Sequence, residues 1–230
     1  MKRLRFILFA LFVAFPVWGQ EIKPADDVLL LQRLLPTVRT FIARNNLPLP
    51  SDFATNRISD FKAGGDSDSD LLTPRLMIDK KHAFSFFGTR TNCHLDGYRR
   101  VNPGVNFILG SADPEQIQAL AAQTNTLNEV SARKLCDHYF QLQGHFMTNF
   151  HPVFFNQITW GNKVQDPKHY VAFPYYEAEW VRKDQINAPA EEQHTILPSV
   201  RMMISGVDSS LQSYDRLLLP GSTDFDSNQR

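Results

Sequence analysis

From Ala25 onward, apolar residues recur at three- and four-residue steps: Val28, Leu31, Leu34, Leu35, Val38, Phe41 and Ile42. This period gathers side chains on one stripe of an α-helix, so the segment predicts a helix with one face in a core. Pro36 falls inside the stripe and cannot donate to the carbonyl four residues back, so it either kinks one long helix or starts a second. Asn45-Asn46, followed by Pro48 and Pro50, ends the segment. The pattern then turns to short β-like runs at 57–61, 75–78, 82–87 and 89–95, separated by Gly64-Gly65, Asp79-Lys80-Lys81 and Asp96-Gly97, each a turn signal. Turns this short join antiparallel neighbours, because a parallel crossover needs about a dozen residues or more.

Helical signals return at Asp113-Pro114, where the aspartate can cap and the proline suits the first helical position. A second start follows at Thr126, with Glu129 completing a capping box and Gly144 available as the left-handed terminator. Its stripe is Ala132, Leu135, Tyr139, Leu142 and Phe146, with Cys136 beside it. Strand patterns resume at 153–160, 169–183, 199–204 and 211–218, and the tail from Pro220 has too little apolar surface to fold.

The halves share an order of helix, short strand and longer strands, and their helices are displaced by about 100 residues. The phrase His94-Leu95-Asp96-Gly97-Tyr98-Arg99-Arg100 answers Leu211-Gln212-Ser213-Tyr214-Asp215-Arg216. The expected fold is therefore α+β, helices packed on antiparallel sheet, as two tandem helix-plus-sheet units at 20–112 and 113–219, after a leader at 1–19 and before a disordered tail at 220–230. The helix 126–145, the strand Tyr175-Tyr176-Glu177-Ala178-Glu179-Trp180 and the closing 200–214 segment resemble PepSY-type and cystatin-like modules. In those extracytoplasmic domains a helix packs on a curled antiparallel sheet. The resemblance covers about 90 residues and departs from the family's usual turn at Gly206-Val207-Asp208-Ser209-Ser210. It implies a non-enzymatic module for binding or inhibition in the cell envelope, and it carries over no site residue.

The first 19 residues form a secretory leader: basic Lys2, Arg3 and Arg5, an apolar run from Phe6 to Phe15, and small Val17 and Gly19 before the polar exit at Gln20. The apolar run is about half the roughly 20 residues a membrane span needs, so the expectation is cleavage, no stable anchor and a secreted or periplasmic chain. The leader carries three of the 24 basic residues and none of the 24 acidic ones, leaving 21 against 24, net −3. Such a chain does not gather phosphate backbones by electrostatics, which excludes nucleic acid as a partner. In an oxidising compartment the two cysteines, Cys93 and Cys136, are expected to form one disulfide across 42 residues, stabilising by about 3–4 kcal/mol. Two separately buried thiols are the rival arrangement.

Candidate chemistry is sparse. Asp66-Ser67-Asp68-Ser69-Asp70 has the alternating carboxylates of a calcium loop, but Leu71 stands where that loop needs glycine and Met77 where it needs glutamate. His138 and His145 lie two helical turns apart, about 10 Å, too far to share one zinc with His151. Neither a metal nor a cofactor is expected. Tyr175, Glu177 and Glu179 share one face of a strand, opposite Tyr176, Ala178 and Trp180. Two glutamates on one side of a strand suit a water-facing surface better than the opposed carboxyls of a glycosidase, so these three are the binding residues the sequence offers. No nucleophile elbow, phosphate loop or dinucleotide fingerprint occurs. The expected function is a secreted or periplasmic non-enzymatic binding module whose partner is an envelope or extracellular protein. The alternative is a secreted hydrolase with a dispersed active site.

Overall fold

Helix α1 (Ala25–Arg44) runs through Pro36 without a break, so the proline starts no second helix. Asn46 adopts a left-handed φ of 47°, and Leu47 N–H donates to Ile42 O at 3.1 Å, closing the helix end. Leu30, Leu34, Leu35, Val38, Phe41 and Ile42 are buried along it, while Val28 is left exposed in the first turn. The structure is a computed structural model that describes residues 25–65, 70–101, 114–161, 163–186 and 199–217. The leader, most of the acidic run at 66–70 and the tail lie outside the described residues.

Five strands follow: β1 (Ile58–Lys62), β2 (Leu71–Leu72), β3 (Arg75–Ile78), β4 (His82–Thr89) and β5 (Cys93–Arg100). Asp79 and Lys80, at φ 52° and 55°, make the expected β3–β4 turn, and paired left-handed residues match the twist of a tight hairpin. Asp96-Gly97 is not a turn. The chain reverses earlier, where Thr89 and Asn92 exchange backbone hydrogen bonds of 3.0 and 3.2 Å. Gly97 instead sits mid-strand, paired with Ser85 on one side and Asp215 on the other, and Asp96 is the extra residue of a β-bulge. A Cβ at Gly97 would stand 2.6 Å from Ser85 Oγ, so glycine here serves close approach and not chain reversal.

Helix α2 (Pro114–Ala121) begins on its proline as expected. Helix α3 (Glu129–Leu142) is capped by Asn128, whose side chain accepts from Ser131 N–H at 2.8 Å. Thr126, the expected cap, gives its hydroxyl to Gly206 O at 2.7 Å. Gly144 closes the helix at φ 84°. Phe146 was expected on the core stripe but is 54% exposed; Phe140 fills that place, fully buried, with ring centroids 4.5 Å from Trp180 and 5.1 Å from Phe150.

The remaining elements are β6 (Phe150–Trp160), β7 (Val171–Arg182), a single turn α4 (Lys183–Ile186), β8 (Ser199–Ser205) and β9 (Leu211–Leu217). Among the described residues every strand pairing is antiparallel, in one nine-stranded sheet of order β1-β3-β4-β5-β9-β8-β7-β6 with β2 on β4. The fold class is thus α+β with a large antiparallel sheet. N-terminal and C-terminal strands meet at the β5–β9 seam, where Tyr98 pairs with Tyr214. The residues of α1 and α3 share one core cluster with Tyr98, Tyr176, Trp180, Met202 and Tyr214, so both helices lie on the same face. Ile117 of α2 packs with Phe173 and Tyr175, which alternate with Tyr176 along β7, so α2 covers part of the opposite face. No helix among the described residues is long and apolar enough to cross a membrane.

Candidate functional site

The β5–β9 seam is roofed by the C-terminal half of α1. Phe41 lays its ring against both seam tyrosines, at centroid distances of 5.5 Å to Tyr98 and 5.8 Å to Tyr214. The C-terminal ends of α1 and α3 are tied together by a buried bond from Gln143 Nε2 to Asn45 Oδ1 of 2.6 Å, and Asn45 Nδ2 in turn donates to Phe41 O at 2.8 Å. Beside this tie, helix and sheet part and leave a cleft of about 400 Å³. Thr37, Thr40 and Arg44 line it from α1; they recur at helical spacing and are exposed, which is why their stripe faces the opening and not the core. Cys93, His94 and Leu95 of β5 and Tyr214 and Arg216 of β9 line the sheet side, and Gln143 one end.

The charge of this cleft is one-sided. Arg44, Arg216 and His94 line it, and among the described residues no carboxylate does. Arg216 is buried, at 9% exposure. It acts on Asp96, whose carboxyl is raised to about 6 by burial, with Arg216 opposing that rise. Burial also pushes the Cys93 thiol up to about 11, reinforced by Asp96, which keeps it protonated and unfit as a nucleophile near neutral pH. Each seam tyrosine meets a buried histidine: His145 Nε2 lies 3.1 Å from Tyr214 OH, and His82 Nδ1 lies 3.0 Å from Tyr98 OH. Burial drives His145 down to about 3, with Arg216 pushing the same way, and lowers His82 as well. His145 is thereby neutral near pH 7, and both imidazoles are engaged with tyrosine hydroxyls.

The residues singled out in the sequence lie elsewhere. Tyr175, Glu177 and Glu179 do share the sheet face opposite α1 and α3, but Tyr175 is only 5% exposed because Ile117 of α2 and Phe173 pack with it. Glu179 Oε2 accepts from Arg201 Nη2 at 3.1 Å, and Glu177 Oε1 lies 3.7 Å from Arg201 Nε. Burial raises the Glu177 carboxyl, Arg201 opposes that, and Glu179 adds to it. The ladder continues across the seam to Asp215 and Arg99, 3.7 Å apart. A second depression, of about 470 Å³, lies near the Arg99 end, lined among others by Asp60, Lys62, Arg75 and Asp215. Its charges are mixed, and Arg99 faces Asp215 within it.

Cys93 and Cys136 are two free thiols, so the expected disulfide is not formed. Helix α3, which carries Cys136, packs on β7 and β8, whereas Cys93 lies on β5, which packs under α1. His138 and His151 are exposed while His145 is buried against Tyr214, and no group of three metal-binding side chains occurs among the described residues. The calcium-like run lies outside the described residues except for Asp70. The cleft itself could not be read from the sequence, because its residues come from segments as far apart as Pro36 and Arg216.

No family model matches the chain, and neither does any curated protein or solved structure.

Proposed function

We propose that the chain is an exported, non-enzymatic binding module that holds a small ligand in the cleft between α1 and the β5–β9 seam. The observation that carries this reading is the cleft's composition. Both halves of the chain wall it, its volume suits a small-molecule site, and its polar groups converge on an apolar floor of Phe41 and Leu95. Export rests on the leader in the sequence, which names the periplasm or the external medium as the place of work.

The same reading takes the halves as tandem helix-plus-sheet units of the PepSY or cystatin-like kind. It is supported by the strand order, in which four N-terminal strands and four C-terminal strands meet through the last strand of each. Further support comes from the 3₁₀ turns at Thr55–Arg57 and Met147–Asn149, each between a helix and the first strand after it. The Asn45–Gln143 tie joins the matching ends of the two helices. A dispersed hydrolase site is the weaker reading, since the thiol in the cleft is held protonated and the two buried histidines are engaged by tyrosine hydroxyls.

The test is a thermal-shift screen of the purified chain against a panel of charged and neutral small metabolites, repeated on Thr40→Trp. Thr40 is an exposed helical position on the cleft wall, so tryptophan fills the space without entering the core. A ligand at about 100 times its Kd stabilises by about 2.7 kcal/mol, a shift of several degrees. That shift should vanish in Thr40→Trp. Ligand shifts that survive the substitution, or a panel that shifts nothing, would refute the cleft as the site.

A further inference from the structure

We infer that the ligand of this cleft is a small organic oxyanion: a compact apolar body carrying a carboxylate or a phosphate group. The inference rests on the cleft being the binding site and goes further, to the chemistry of its occupant. The polar groups that line the opening are predominantly donors. Two guanidinium groups, Arg44 and Arg216, stand on opposite walls, one on the helix and one on the sheet. The hydroxyls of Thr37 and Thr40 lie two turns and one turn before Arg44 on the same stripe, and the His94 ring lines the sheet side. Guanidinium forks match the two oxygens of a carboxylate or phosphate and bind them with charge-assisted hydrogen bonds.

Placement makes the charge significant. The mature chain is net acidic by composition, yet no carboxylate among the described residues lines this cleft. Arg216 stands on the sheet wall at 9% exposure, where it also acts on the Asp96 carboxyl, and Arg44 is the exposed cation at the opening. By contrast, the depression on the opposite face has Asp60 and Asp215 among its cations, which leaves it no such preference. The apolar half of the occupant follows from the floor. Phe41, Leu95, the protonated Cys93 thiol and the face of Pro36 offer nothing for a second charged end. A bare inorganic ion would leave that floor uncovered.

The probes are benzoate, phenyl phosphate and neutral benzamide, three compounds with one ring and different head groups, titrated into the full chain at constant ionic strength. Calorimetry gives the affinity, and amide shifts in two-dimensional NMR give the location. The expected result is binding by one or both anions, with shifts centred on Thr37, Thr40, Arg44 and Leu95, and benzamide weaker by about tenfold or more. Preference for phenyl phosphate over benzoate, or the reverse, assigns the head group.

Arg44→Gln removes an exposed cation that the core does not need, and it should weaken the anions about tenfold while leaving benzamide unchanged. Exposed Lys168→Gln, on the β6–β7 connection, should change neither. Arg216→Gln should act like Arg44→Gln wherever its circular dichroism is native. Equal binding of benzamide and benzoate, or full anion affinity in Arg44→Gln, would overturn the oxyanion inference and leave the cleft standing. Absence of binding by both anions would also overturn it, and the cleft would then stand or fall with the neutral compounds of the wider panel. Anion binding that persists in Thr40→Trp would overturn the cleft itself.

Discussion

His145 should make the stability of this protein fall in mild acid. It is 7% exposed, with the rings of Phe140 and Phe150 at 4.9 and 5.5 Å and Tyr214 OH at 3.1 Å from its Nε2. Burial pushes its pKa down to about 3, and Arg216 pushes the same way. An unfolded histidine titrates near 6.5, so on going from pH 7 to pH 5 the unfolded chain takes up about 0.7 of a proton here while the native chain takes up almost none. The sign follows: a depressed histidine contributes stability that is fully present above about 6.5 and lost as pH falls toward 3. Between pH 7 and pH 5 the loss is about 2 kcal/mol.

Other groups titrate in the same range. Asp96, raised to about 6 by burial, acts oppositely, because its native form holds a proton that the unfolded chain has released between about pH 4 and 6. The comparison is therefore with His145→Gln, whose amide can still meet Tyr214 OH but does not titrate. Urea unfolding of both proteins at pH 7, 6 and 5 isolates the histidine. The wild type should lose about 2 kcal/mol more than the variant over this interval. Parallel curves would refute the neutral, buried state of His145.

Phe140→Ala should destabilise by about 3–5 kcal/mol, since the ring is fully buried between Trp180 and Phe150; a urea midpoint shift worth under about 1 kcal/mol would contradict that packing. Asn128→Ala should cost about 1 kcal/mol while Asn128→Asp keeps most of the stability, and equal losses would remove Asn128 as the cap of α3. Without reductant, thiol titration in denaturant should find both cysteines free, and in the native state Cys136, with no exposed surface, should not react. Two thiols missing from the denatured titration would show that a bridge forms.

Local features of this fold were legible where short-range chemistry decides them. The stripe from Leu34 to Ile42, the Asp79-Lys80 turn and the Gly144 terminator all depend on neighbours within a few residues, and they stand where their pattern puts them. Asp96-Gly97 misled because Asp-Gly is a strong turn signal, yet Gly97 answers to Ser85 and Asp215, partners 12 and 118 residues away in the chain. Thr126 and Asn128 were both good caps by type. A tertiary bond from Thr126 to Gly206 decided between them. Tyr175 read as an open sheet residue because nothing in its own strand shows that Ile117 of α2 packs against it. The cleft was the least legible feature, since its floor, walls and charges come from α1, β5, β9 and the end of α3 together.

Occupancy of that cleft is most directly measured by crystallising the chain with 4-bromobenzoate, whose bromine gives an anomalous signal that locates the ring without reference to the protein. The expected result is a single strong peak on the floor formed by Phe41 and Leu95, with the carboxylate turned toward Arg44 and Arg216. A peak in the depression beside Arg75 and Arg99, or an empty cleft in crystals soaked to saturation, would contradict the assignment of this site.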